Sequence, residues 1–152
     1  MTAGASSVAA LGRLLLALIF VVSGVGKILA PAMTLGYIAA AGLPFPLAAY
    51  LIAIAGEVGG ATLLILGFQT KLAALALAIF SVAAALGFHH DLADQNQFIH
   101  FLKNVAITGG LLQVVAFGAG AFSIDARRGL AASPAATSPA GLGRGLPAGS
   151  HN

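Results

Sequence analysis

The chain has 152 residues, of which 7% are charged and 59% are hydrophobic. A soluble domain usually carries charge on about a quarter of its residues, and a chain this short cannot enclose so much apolar surface. This composition excludes a water-soluble globular fold, so lipid has to cover part of the surface. The net charge of +3 comes from seven scattered Lys and Arg residues, which excludes a nucleic-acid-binding run. Cysteine is absent, which excludes disulfides, covalent haem attachment and cysteine-ligated iron–sulfur clusters.

Four apolar segments are long enough to cross a membrane, since the hydrocarbon core needs about 20 residues of helix. We predict these spans at residues 8–30, 47–68, 72–88 and 98–122. A secretory signal peptide is the alternative for the first segment, because Arg13 precedes an apolar run. Lys27 argues against it, because cleavage regions favour small neutral residues. The predicted fold is all-α: an antiparallel four-helix bundle in the membrane.

The connections between the predicted spans are unequal. Residues 31–46 are interrupted by Pro and Gly and favour a short interfacial helix near residues 33–41. The link at residues 69–71 is so short that the second and third spans form an antiparallel hairpin. Gly56 and Gly60 form a GxxxG motif on the second span, which predicts close helix packing. That packing would occur either within the chain or in a homo-oligomer.

Charge distribution predicts the orientation and the domain boundary. Basic side chains concentrate at one end of the four-span arrangement, at Arg13, Lys71, Arg127 and Arg128. The loop at the opposite end carries Asp91 and Asp94. Because cytoplasmic loops are enriched in Lys and Arg, we expect both termini in the cytoplasm of a bacterium and the protein in its inner membrane. Residues 1–128 form the predicted membrane domain, and residues 129–152, rich in Ala, Gly, Pro and Ser, form a predicted disordered tail.

Three ionisable residues fall within the predicted spans. Glu57 is about 15 Å along the second helix, near the midplane. A charge there is costly and usually finds a partner inside the bundle, so we predict an ion pair with Lys27 or Lys103. The polar residues that would extend this network are Ser23, His100 and Asn104.

Two interpretations of these residues are open. In the first, Lys27 extends to the membrane interface and Glu57 only supports packing. In the second, they form a polar pocket that suits an anion, a quinone carbonyl or a proton-transfer step, with His100 able to exchange protons near neutral pH. The loop residues His89, His90 and Asp91 are of metal-binding types, but their spacing matches no standard site, so we predict no metal there and keep them only as weak candidates.

Four stretches of the sequence carry a family resemblance: RLLLALIFVVSGVGKI at residues 13–28, GEVGGATLLILGFQTKLAAL at 56–75, FLKNVAITGGLL at 101–112 and GAGAFSIDA at 118–126. In this order they resemble the DoxX family of small membrane proteins. The resemblance implies a four-helix inner-membrane fold and, less specifically, an oxidoreductase system, because some members are similar to the membrane subunit of a thiosulfate:quinone oxidoreductase. The positions that match polar family positions within the helices are Lys27, Glu57, Lys103 and Asn104.

We therefore expect a quinone-linked redox component or a membrane subunit of an oxidoreductase system. Glu57 and His100 would handle protons, and the residues that would bind the quinone are Lys27, Lys103, Asn104 and Ser23. Quinone is the candidate cofactor, and a redox protein the candidate partner beside the lipid bilayer. One alternative is a non-catalytic scaffold subunit. Another is a small transporter or ion-conducting bundle, which the lack of an inverted repeat or broken helix disfavours.

Overall fold

The computed structural model describes residues 3–129, so the predicted tail lies outside the described residues except for Gly129. Residues 3–129 contain no strand. The helices are α1 (Ala3–Leu29), α2 (Pro31–Ala40), α3 (Pro46–Leu66), α4 (Thr70–Phe88), α5 (Gln95–Phe117) and α6 (Ile124–Arg127). The predicted short helix after the first span is confirmed as α2.

Four of these helices, α1, α3, α4 and α5, are long and apolar enough to span a membrane. Large apolar side chains remain exposed along all four, among them Leu15, Ile52, Ile79 and Leu102. Lipid solvates such a surface at no cost, whereas water would not. The predicted all-α membrane bundle is confirmed. Its small core is built from residues of all four spans, including Ala17, Leu64, Leu77 and Leu111.

The fourth span ends at Phe117 rather than at the predicted residue 122. Gly118 and Gly120 both have positive φ angles, of 80° and 75°. These are backbone conformations that glycine adopts readily and that interrupt a helix. At the same end of the bundle, α1 begins at Ala3, before the predicted residue 8.

Small residues set the helix spacing, and one of the two glycines of the GxxxG motif contributes to it within the chain. A Cβ on Gly60 would lie 2.8 Å from Leu77 Cγ, so this glycine permits the close approach of α3 and α4. A Cβ on Gly56 would meet nothing within 4 Å. On α1, Gly24 performs the equivalent role, because its Cβ would lie 2.7 Å from Val58 Cγ2 on α3.

Residues 118–127, here called the closing segment, fasten the end of the bundle opposite α2. The Arg13 guanidinium is buried and donates hydrogen bonds to the carbonyls of Ala119 and Phe122, the latter at 2.9 Å. Arg13, expected from the sequence to be an orientation charge, is thus also an internal hydrogen-bond donor. Its planar guanidinium has several N–H groups in a fixed arrangement, which suits two carbonyls at once.

Asp125 of the closing segment caps α4 from outside that helix. Its carboxylate oxygens accept hydrogen bonds from the backbone N–H groups of Gln69 and Thr70, both at 2.8 Å. These groups start α4 and have no intrahelical acceptor. Burial opposes the charge on Asp125, but the hydrogen bonds from Thr70 and Gln69 and the nearby Arg13 together hold the pKa of this carboxyl below its ordinary value.

Candidate functional site

A cavity of about 630 Å³ lies between the helices at the end of the bundle that carries α2. Every one of α1 to α5 contributes to its wall. The six residues predicted as catalytic or quinone-binding all line it: Ser23, Lys27, Glu57, His100, Lys103 and Asn104. The structure therefore brings the whole predicted set together, although the roles of these residues stay predictions.

One side of the cavity holds the charged cluster of Ser23, Lys27 and Glu57. Lys27 Nζ lies 2.9 Å from Glu57 Oε1 and 2.8 Å from Oε2. The same ammonium donates to Ser23 Oγ at 2.7 Å, and the Ser23 hydroxyl donates to Glu57 Oε1 at 3.1 Å. Of the two predicted partners for Glu57, Lys27 is the one that pairs with it, so the Lys27 side chain is directed to α3 inside the bundle.

Backbone proximity explains how this cluster forms. Ser23 and Lys27 are four residues apart on α1 and share one helical face. The glycine between them, Gly24, lets α3 come so close that a Cβ at this position would be 3.5 Å from Glu57 Cβ and 3.6 Å from its carboxylate. Tyr50 of α3 adds a hydrogen bond from its hydroxyl to the Lys27 carbonyl at 3.2 Å.

The opposite side of the cavity is formed by α5. Asn104 donates to the backbone carbonyl of His100 at 3.0 Å, and the His100 ring stacks on His89 with centroids 4.9 Å apart. Lys103 has no hydrogen bond or ion pair within residues 3–129. The predicted network is thus divided into two parts. Ser23 is bonded to the Lys27–Glu57 ion pair. The other three polar residues line the same cavity but form no hydrogen bond to that ion pair: His100, Lys103 and Asn104.

Helix α2 forms one wall of the cavity, a contribution that was not predicted from the sequence. Thr34, Tyr37 and Ile38 line the cavity from this helix. Tyr37 stacks on Phe88 at the end of α4, with ring centroids 5.3 Å apart, and Ile38 is buried. A segment expected only at the membrane interface therefore packs onto the bundle and forms part of the site.

Ser81 is the cavity residue that sequence reasoning missed. It lies on α4, is 1% exposed and lines the cavity, yet its hydroxyl has no hydrogen-bond partner. Between Lys71 and His89 it is the single polar residue in an apolar run. An isolated hydroxyl in a membrane helix is a usable signal, because polar groups in lipid seek partners.

The loop after α4 does not gather ligands. Within the described residues, no group of three or more His, Asp or Glu side chains is placed to hold a metal ion. Of the weak candidates His89, His90 and Asp91, only His89 lines the cavity, and its Nδ1 lies 3.0 Å from Gln97 Oε1. The Asp91 carboxylate instead accepts a hydrogen bond from the backbone N–H of Ala93.

A four-helix membrane bundle with a charged cluster at one end of its interior defines a class of small multi-pass membrane proteins. The chain belongs to the DoxX family, whose family model matches residues 8–90. It is 36% identical to the inner membrane protein YqjF of Escherichia coli strain K12 over 113 residues, which cover 74% of this chain and 85% of the relative.

A second relative, the inner membrane protein YphA of the same strain, is 35% identical over 123 residues, or 77% of this chain and 87% of the relative. No solved structure shows significant similarity to the chain. The family match and the relatives, with the four spanning helices, make this chain a multi-pass inner-membrane protein.

Proposed function

We propose that this protein is a quinone-linked redox component of the inner membrane and that it binds the quinone in the cavity. The observation that carries the proposal is the convergence of the charged cluster, His100 and Lys103 on one cavity within the spanning helices. Its volume of about 630 Å³ is within the range of small-molecule sites, which are concave and mostly apolar with a few placed polar groups. A quinone ring with an isoprenoid or alkyl chain has this character, and it dissolves in the lipid around the bundle.

The residues around the cavity supply what quinone chemistry requires. Lys103 is an unbonded donor for a carbonyl oxygen, whereas Lys27 would donate to one in exchange for a bond to Ser23 or Glu57. Reduction of a quinone to its quinol adds two electrons and two protons. Among the groups in the cavity that can exchange protons, which include His89, we assign this role to Glu57 and His100. The electrons would come from a redox protein partner that docks at the membrane, since the chain has no cysteine with which to relay them.

Binding of a quinone to purified protein in lipid nanodiscs tests the proposal. Menadione titrated against the wild type is expected to bind saturably, and Glu57→Gln is expected to weaken binding because it removes the counter-charge that positions Lys27. Thr62→Val is a matched control: the Thr62 hydroxyl bonds the carbonyl of Val58 on the same helix and does not line the cavity. Menadione uptake no greater than that of empty nanodiscs would refute the proposal.

A non-catalytic membrane subunit is the second candidate function. It is favoured by Gly56 and Gly59 of α3, where an added Cβ would meet nothing within 4 Å. A face with such small residues allows a helix of another protein to approach closely. Co-purification of a defined partner that Gly56→Leu releases, together with an absence of menadione binding, would favour this function over the first.

A further inference from the structure

Two unbonded polar groups face the cavity on the side away from the charged cluster. The Ser81 hydroxyl is buried without any hydrogen-bond partner, and Lys103 forms no hydrogen bond or ion pair within residues 3–129. The buried Ser81 hydroxyl costs free energy without an acceptor, and proteins rarely retain such a group without a reason. Lys103 is exposed beside the cavity, and it lacks a counter-charge among the described residues. Both side chains line the same cavity, which makes a bound molecule a natural source of the missing acceptor.

The two groups lie at matching depth in the bundle. Ser81 precedes the end of α4 at Phe88 by seven residues, and Lys103 follows the start of α5 at Gln95 by eight. At about 1.5 Å per residue, both are therefore about 10–12 Å along their helices from the same end. Because α4 and α5 are consecutive antiparallel helices packed side by side, one ligand group can meet both.

The charges around the cavity do not cancel. Glu57 is the only carboxylate among the lining residues, and Lys27 pairs with it. With neutral histidines, the lining is left with one excess positive charge, on Lys103. A lone ammonium at this depth in a membrane needs a counter-charge, and the described chain offers none at this position.

We propose that Ser81 and Lys103 form an anion subsite that binds an ionised oxygen of the ligand. This inference rests on the proposed quinone function and specifies its substrate class: acidic, hydroxyl-substituted quinones, bound as monoanions in preference to neutral quinones. Lys103 supplies the counter-charge, and the Ser81 hydroxyl donates a hydrogen bond to the same anionic group. Apolar neighbours such as Phe80 and Ile107 cover the ring.

Two quinones of nearly equal size test the charge preference. The ionised 2-hydroxy-1,4-naphthoquinone and its neutral 2-methoxy ether are titrated at neutral pH against the protein in phosphatidylcholine nanodiscs, with empty nanodiscs as the partition control. We expect the wild type to bind the anion at least about 10-fold more tightly, the range for a hydrogen-bonded charged group. Lys103→Gln should abolish this preference and Lys103→Arg should retain it. Ser81→Ala should weaken anion binding about 2- to 10-fold.

The charge-matched control is Lys71→Gln, which removes a positive charge whose side chain bonds the Ala116 carbonyl outside the cavity. It should leave the preference unchanged. Equal affinity for the two quinones, or a preference that survives Lys103→Gln, would overturn the subsite. If neither quinone binds, 2-naphthoate and 2-naphthamide separate the two proposals. Naphthoate binding that needs Lys103 would uphold the subsite even if menadione binding, the test of the quinone function, fails. No naphthoate binding would reject the subsite.

Discussion

Lys27 and Glu57 form an ion pair across the α1–α3 interface whose members are unequally buried. The ammonium contacts both carboxylate oxygens, while 24% of the Lys27 side chain and 4% of the Glu57 side chain are exposed. Loss of one member of a buried pair leaves an uncompensated charge and typically costs about 3–5 kcal/mol. The remaining charge is more deeply buried when Lys27 is removed than when Glu57 is removed.

Lys27→Met should therefore reduce the free energy of unfolding more than Glu57→Gln does. The loss for Glu57→Gln should be about 3 kcal/mol, near the lower end of the range of about 3–5 kcal/mol, because the Lys27 charge that remains is partly exposed. The double variant should be more stable than the sum of the two losses implies, because it leaves no unpaired charge. Denaturant unfolding in detergent micelles measures all three. Additive losses would show that the pair contributes no coupling.

Gly67→Ala should destabilise the end of the bundle fastened by the closing segment. Gly67 ends α3 with a φ of 63°, and an added Cβ would lie 2.5 Å from Ser123 Cβ. Strained backbone of this kind costs about 1–3 kcal/mol before the clash is counted. Gly56→Ala is the matched control on the same helix, with open space around the new methyl group. It should be neutral or stabilising by up to about 1 kcal/mol, and thermal unfolding in micelles compares the two.

Asp125 should make stability depend on pH. Its pKa is below the ordinary carboxyl value in the folded protein, so the charged form stabilises the fold fully above the unfolded pKa of about 3.9. That contribution is lost as pH falls through the lower, folded pKa. Asp125→Asn should be less stable than wild type at pH 7, and the gap should narrow in acid. Unfolding measured from pH 7 to pH 3 tests this; a constant gap would contradict it.

The orientation stays a prediction that single cysteines can test, because the chain has none of its own. The basic side chains near the span ends on which it rests are Arg13, Lys71, Arg127 and Arg128. An impermeant maleimide should label Asp91→Cys in intact cells with a permeable outer membrane. It should label Lys71→Cys only after the inner membrane is broken. The reverse pattern would place both termini outside the cytoplasm.

Much of the fold follows from apolar segment length. The spans were predictable because lipid demands about 20 apolar residues per helix, and the pairing of Glu57 was predictable because a charge at that depth needs a partner. The sequence could not predict which lysine pairs with Glu57, because the side chains of both Lys27 and Lys103 are long enough to reach it. The close approach of α1 to α3 at Gly24 places Lys27 beside Glu57.

The contacts of the closing segment could not be predicted from the sequence. Arg13 and Asp125 are far apart in sequence, and hydropathy treats both as ordinary charges near span ends. Their hydrogen bonds go to backbone groups of other segments, and the sequence does not mark which backbone groups will accept or donate them. The glycines at 118 and 120 were the available signal, because two breakers in succession end a helix.

The cap that Asp125 provides also has a consequence for biogenesis. A ribosome releases α4 well before residue 125, so the N–H groups of Gln69 and Thr70 emerge long before their acceptor exists. Until the last span has entered the membrane, water has to satisfy these N–H groups. A chain truncated after Phe117 would keep all four spans and leave the start of α4 without its cap.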